Sequence, residues 1–246
     1  MKLELVSYIN ELTDLKRLCA TIEIINQSGA DIILFSGHTI GFVNDIQALR
    51  ENITNTKTIA FLELKDINSA KIGNCLYSVS KGSIQQMHTY QLFTTSGEIE
   101  NNEELAWLFL NEIVSHRQLK IKGLNFSILQ CGELNILKNI QSKNNKVKFR
   151  FSHNKLLAKE FKQIFDSTNI FLNPIHTPMG NQGKMSKRRI YLSKDNRYYF
   201  STSNTDRNKT NLQLKSLQYS LFNGKEVSHI QEILTSNYIV RQYEIH

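Results

Sequence analysis

The feature that most constrains this chain is a set of short, continuous apolar runs: DIILF (31–35), TIAFLEL (58–64) and NIFLN (169–173). Each is short for a buried helix and bounded by polar or turn-forming residues. Each therefore reads as a strand covered on both faces. Ahead of the first run, KLELVSY (2–8) alternates Leu3, Leu5 and Ser7 against Lys2, Glu4 and Val6. Leu12, Leu15, Leu18, Cys19, Ile22 and Ile25 then recur at helical spacing, giving an amphipathic helix from about Leu12 to Gln27. Asn10 or Thr13 can cap its start, and Ser28-Gly29 can end it with glycine in the left-handed region. A strand-helix-strand opening implies a right-handed crossover and parallel neighbours, hence an α/β chain.

The same reading continues to the end. Residues 44–53 look helical, and 74–90 reads as a hairpin turning at Lys81-Gly82. Glu103 to His116 is a helix, and KGLNFSILQ (122–130) is a strand running straight into Cys131. Leu156, Leu157, Phe161, Ile164 and Phe165 mark another amphipathic helix. RYYFSTSN (197–204), SLQYSLFNGKEV (216–227) and YIVRQYEI (238–245) give a strand-rich ending. No stretch reads as a linker or a repeat, so 1–246 is expected to be a single domain of helices layered on sheets.

Composition narrows the class. Hydrophobic residues make up 40% of 246, which suits a packed core rather than a disordered segment. No run approaches the roughly 18 apolar residues of a membrane helix, and the N-terminus lacks a leader-like apolar stretch, so a cytoplasmic protein is expected. Cys19, Cys75 and Cys131 are odd in number and widely spaced, which argues against a disulfide framework or a zinc knuckle. No metal and no cofactor is expected. The net charge of +8 is uneven: residues 138–159 hold Lys138, Lys143, Lys146, Lys148, Arg150, Lys155 and Lys159 without an acid. Lys184, Lys187, Arg188 and Arg189 form a second cluster. Such patches suit a nucleic acid or an acidic partner, or simply a solvated face.

Three segments in order resemble landmarks of the nitrilase (carbon–nitrogen hydrolase) superfamily. GADIILFSGHTIGF (29–42) resembles the second strand and its following turn, G-A-D-hydrophobic-F-P-E in the family. NCLYSVSKGSIQQMHTYQLFTTSGE (74–98) resembles the hairpin and loop that carry the family lysine. LKIKGLNFSILQCGEL (119–134) resembles the strand and sharp turn that present the nucleophilic cysteine. Later, RRIYLSKDNRYYFSTSN (188–204) and SLQYSLFNGKEV are similar to the family's R-A-x-E-N-x-x-Y-V-x-x-x-N and its late hairpin. The resemblance implies a four-layer α-β-β-α sandwich with two mixed sheets, often paired into a dimer through sheets or helices.

It also implies a glutamate base, a lysine for the oxyanion and a cysteine nucleophile. Carried over residue by residue, the glutamate position falls on Gly37 and the lysine position on Thr89. Only the cysteine position is filled, by Cys131, with Glu133 at the acidic position two residues on and Glu98 at a further loop glutamate. His38, beside the missing glutamate, and His176, after a strand that should end on the Cys131 rim, are substitute bases. Glu63 either faces the site or is satisfied at a sheet edge, and His88 could offer charge near Thr89. Gly180 and Gly183, ahead of four cations, form a loop into which an anion could fit.

Two functions of different class follow. The favoured one is a catalytically degenerate scaffold serving assembly, regulation or polyanion binding, through Lys146, Lys148, Arg150, Lys184, Lys187, Arg188 and Arg189. By analogy with nitrilase-like modules beside bacterial reverse transcriptases, it would be accessory to an antiviral system. The alternative is an active thiol hydrolase of amidase type, using Cys131 with a non-standard base.

Overall fold

The computed structural model describes residues 1–43, 46–66, 75–178, 181–205 and 213–246, and, within them, every side chain but those of residues 48, 66, 88 and 89. In chain order the elements begin with β1 (Lys2–Tyr8), α1 (Asp14–Gln27), β2 (Ile32–Phe35), β3 (Ile40–Val43), α2 (Ile46–Asn52) and β4 (Ile59–Asp66). The hairpin β5 (Cys75–Ser80) and β6 (Ser83–Tyr90) follows, then α3 (Ser96–Ile99), α4 (Glu103–Glu112), β7 (Gln118–Ile121) and β8 (Leu124–Ile128). Next come β9 (Leu137–Ile140), β10 (Lys146–Phe149), α5 (Lys155–Ser167), β11 (Ile170–Ile175), α6 (Gln182–Leu192) and β12 (Tyr198–Ser203). The chain closes with β13 (Gln218–Phe222), β14 (Lys225–Glu226), β15 (Gln231–Leu234) and β16 (Tyr238–Glu244).

Two mixed sheets result. One is ordered β15-β16-β1-β2-β4-β5-β6, with β3 also on β4; the other is β14-β13-β12-β11-β8-β7. As the opening pattern implies, β1, β2 and β4 are parallel; so are β8, β11 and β12 in the second sheet. The facing sheets enclose Leu3, Leu5, Ile32, Leu34 and Phe61 against Phe126, Ile128, Ile170, Leu172 and Phe200. The outer face of the first sheet is covered by Ile24 and Ile25 of α1 and Leu49 of α2. The outer face of the second is covered by α4 and α5, whose Phe109, Phe161 and Phe165 pack on Leu129, Phe171 and Tyr199. Each such buried side chain contributes on the order of 1.5–3 kcal/mol. This is the expected α-β-β-α sandwich.

Of the two cap candidates it is Thr13 that caps α1, its side chain accepting from the Lys16 amide. Local expectations and structure differ at three other places. The helix stops at Ser28 in an extended conformation, and Gly29 does not enter the left-handed region, because Asn55 donates to the exposed carbonyls of Ile25 and Ser28. The α4 helix leaves regular geometry after Glu112, in a wider turn over Ile113–Arg117 that turns Arg117 into the interior. Residues 182–192 form α6 instead of a glycine-rich loop, since Asn181 accepts from the Lys184 amide and caps a helix there. Gly183 sits in its first turn, and Gly180 lies outside the described residues.

Candidate functional site

The carboxyl ends of β2, β8 and β11 bring together the turn after β2, the turn after β8 and the residue after β11, and β4 adds a side chain from within. The two sheets are joined here: the Gly37 amide donates to the Ile175 carbonyl at 3.0 Å, and Asn204 Nδ2 to the Gly37 carbonyl at 2.9 Å. Crevices beyond the carboxyl ends of parallel strands are the usual ligand sites of α/β sheets.

Cys131 opens the turn after β8 with φ of 32°, a conformation that side-chain-bearing residues rarely adopt. Three contacts impose it. Asn173 Nδ2 donates to the Leu129 carbonyl at 2.6 Å and to the Cys131 carbonyl at 3.5 Å. Glu133 accepts from the Gln130 amide at 2.8 Å. Gly132 passes so close to the loop before α3 that a Cβ would lie 2.1 Å from the Thr94 carbonyl oxygen, which only glycine allows. The thiol is thereby held half-exposed at the end of a buried strand.

His176 neighbours the Cys131 side chain, which favours the charged imidazole, and its Nε2 lies 2.9 Å from Glu63 Oε2. Glu63 is completely buried, yet each oxygen has a donor: Gln130 Nε2 at 2.9 Å on Oε1, and the His38 amide at 3.0 Å on Oε2. Burial opposes its charged form, but the bonds from His176, Gln130 and His38 outweigh it and hold its pKa below the ordinary value. Burial likewise opposes the imidazolium, while Cys131 and Glu63 push the other way, and His176 ends at about 10. At neutral pH the site therefore presents a protonated imidazole between a carboxylate and a thiol group.

Gly37 explains how this geometry exists. A Cβ at that position would lie 2.3 Å from His176 Cδ2, so any side chain there would expel the ring. The position at which the resemblance places a glutamate is bare, and the carboxylate arrives from the neighbouring strand instead. His38, with φ of 52°, is an exposed residue whose ring is covered on one side by His176, the ring centroids 3.6 Å apart; Arg17 Nη1 holds its carbonyl at 2.7 Å. Burial first, then the His176 charge, pushes the His38 pKa down to about 4, so its imidazole is neutral at pH 7.

Of the sequence candidates, Cys131, His176, Glu63 and His38 thus meet in one place. Glu133 does not join them as a reactive group: it is sealed in an ion pair with Arg117, neither side chain exposed, and accepts from the Gln130 and Leu92 amides. Glu98 braces its own loop, accepting from the Thr94 amide and hydroxyl and from the Thr95 hydroxyl. The side chains of His88 and Thr89 lie outside those described. Sequence reasoning missed Gln130 and Asn173. Gln130 follows β8 and Asn173 lies within β11, each a polar residue at the end of an apolar run of the sequence, which was their only signal.

The basic candidates divide. Arg150 is buried, bonded to Glu100 and to the Asn135 carbonyl. Arg188 is buried on Asn135 and Asn139, and Arg189 stacks 3.7 Å from the Tyr219 ring centroid while bonding Gln182. These three hold the fold together and are withdrawn as polyanion contacts. Lys146 and Lys187 are exposed and, with Lys143 and Lys194, line a surface cleft of about 400 Å³; Lys148 and Lys184 are half-buried.

No family model and no curated protein matches the sequence. Solved structures do. A CN-hydrolase superfamily protein from Xanthomonas campestris, with an arsenic adduct in its active site, superimposes with a TM-score of 0.55 at 11% identity, over 99% of this chain and 90% of that one. The amidase NitN from Nesterenkonia sp. AN1 gives 0.55 at 11% identity over 100% and 93%. A mutant of that amidase carrying acrylamide added to its active-site cysteine matches equally, at 0.55, 11%, 100% and 93%. At such identities the likeness concerns the fold, and the fold is that of the CN-hydrolase superfamily. Among the described residues no helix is long and apolar enough to cross a membrane.

Proposed function

We propose that this chain is a divergent nitrilase-superfamily thiol hydrolase that cleaves a non-peptide carbon–nitrogen bond of amide type. The observation that carries the reading is the placement of His176 at the meeting of the two sheets, its Nε2 2.9 Å from Glu63 and its charged form favoured by the neighbouring Cys131 side chain. The silent site expected from Gly37 and Thr89 rested on the missing activating partners, and this arrangement supplies a carboxylate and a cation from other positions.

The steps follow from the charges. The Cys131 thiolate, stabilised by the His176 imidazolium, attacks the amide carbon, and the carbonyl electrons move to oxygen. Lys65 and Arg17, whose charges act on His38, add positive potential on that side of the site. The oxyanion collapses, the C–N bond breaks, and His176 gives its proton to the departing nitrogen, leaving a thioester and ammonia or an amine. Neutral His176 then takes a proton from water, which attacks the thioester and releases the carboxylic acid and Cys131. Glu63 keeps the ring oriented throughout, as the acidic member does in other Cys–His and Ser–His sites. Short aliphatic amides are the substrates to try first, given the amidases that share the fold.

The test is the rate at which iodoacetamide alkylates Cys131, read by mass spectrometry of its peptide to separate it from exposed Cys19. Alkylation at least ~100-fold faster than a model thiol at neutral pH is expected, with Cys131→Ala abolishing amide hydrolysis and leaving the fold intact. A rate equal to that of the model thiol removes the proposal.

A second reading concerns the lysine cleft. Lys143, Lys146, Lys187 and Lys194 converge on it and its lining has no acid, which suits a phosphate-bearing polyanion. Lys146→Glu with Lys187→Glu should weaken nucleic-acid binding and flatten its dependence on salt. Binding unchanged by both substitutions discards it.

A further inference from the structure

The turn after β2 places more chemistry in the site than a thiol hydrolase uses. His38, Glu63 and His176 each offer a ligand atom, and the three atoms lie within 4.8 Å of one another. Two imidazoles and one carboxylate, completed by a water, are the donor set of an open tetrahedral zinc site. The surrounding residues support ligation. Glu63 is buried and pre-oriented by Gln130 and by the His38 amide, as second-layer partners orient ligands in metal sites. His38 is kept over His176 by a left-handed backbone that costs free energy, and Arg17 fixes the carbonyl that follows it. Nothing in the hydrolytic steps requires the His38 ring to be there.

We infer that His38, Glu63 and His176 form a site for a zinc-class divalent cation that, when filled, fixes His176 as a metal ligand, withdraws it as a proton carrier for Cys131 and silences the thiol. The cation sits between the His176 nitrogen and the Glu63 oxygen now joined by a hydrogen bond, and the His38 ring closes on it as third ligand. Oxidation states do not change. The ligand set stands on its own geometry; only the silencing rests on the thiol-hydrolase reading.

The experiment uses the full chain, stripped with a chelator and titrated with zinc chloride by calorimetry. Cobalt(II) chloride serves as a visible-absorption probe of ligand type. One zinc per chain is expected, with His38→Ala and Glu63→Gln each weakening it at least ~10-fold. The His38 side chain is exposed, so its removal leaves the core untouched, and circular dichroism checks the fold. Cys131→Ala should bind zinc like the parent, and cobalt should show no sulfur-to-metal charge-transfer band. His153→Ala, which removes an unrelated surface His–Glu pair, should change nothing. In the parent chain, zinc should slow alkylation of Cys131 at least ~10-fold, and His38→Ala should lessen that effect. Absence of saturable zinc binding, or binding undiminished by His38→Ala, overturns the site. Zinc bound as expected without slower alkylation overturns the silencing alone. Zinc binding in Cys131→Ala is independent of whether the thiol proves reactive.

Discussion

Two buried glutamates flank the Cys131 turn, and both are tied to Gln130: its amide donates to Glu133 and its side chain to Glu63. Their other partners differ. Glu133 is paired with Arg117, and neither side chain is exposed. Glu63 is paired with His176, whose side chain is 24% exposed and reaches the rim. A guanidinium does not release its proton in proteins, whereas an imidazole does. The same carboxylate chemistry therefore braces the fold in one place and, in the proposed mechanism, tunes a proton carrier in the other. Acidity alone does not mark a reactive glutamate; the partner does.

The contrast can be broken in four ways. Arg117→Met leaves a carboxylate buried without its cation and should cost about 3–5 kcal/mol, read from the urea midpoint. A loss under ~1 kcal/mol would mean that Glu133 is not the brace described. Glu63→Gln should lower the alkylation rate of Cys131 roughly 100-fold while costing only about 1–2 kcal/mol of stability. An unchanged rate would place both glutamates in the same structural role. Gly37→Ala puts a methyl against the His176 ring and should slow alkylation ~10-fold with about 1–3 kcal/mol of overpacking; no change in rate would show that the ring need not sit there. The smallest effect is on pH dependence. His176 is raised to about 10, so its protonated form is present below that pH and lost above it. Amide hydrolysis should decline roughly tenfold per unit as pH climbs past about 10, and Glu63→Gln should move the decline to lower pH. A decline that Glu63→Gln leaves in place would detach Glu63 from His176.

Most of the architecture was legible because its signals are local. Apolar runs such as DIILF and NIFLN fix buried strands, and the spacing of Leu157, Phe161, Ile164 and Phe165 fixes α5. Cys131 was legible from the strand that ends in it. What the residue order could not give was direction: Glu63 sits in an apolar strand, and only pairing with β2 and β5 decides which face it presents. Gly37, where the resemblance places a glutamate, reads in sequence as a missing base, because linear motifs do not reveal that His176 from the opposite sheet packs against that position. The basic clusters failed for a related reason. Charge runs along the sequence, whereas burial depends on local geometry: Arg150 turns inward just after β10, and α6 buries Arg188 and Arg189.

The close passage of Gly132 beneath Thr94 has a temporal side. The two residues belong to segments separated by the whole α3–β8 stretch, so the strained turn at Cys131 is assembled only when those segments dock. A brief pulse of alkylating agent during refolding would then act as a clock, the thiol gaining its reactivity at the moment those two loops meet rather than when β8 itself forms.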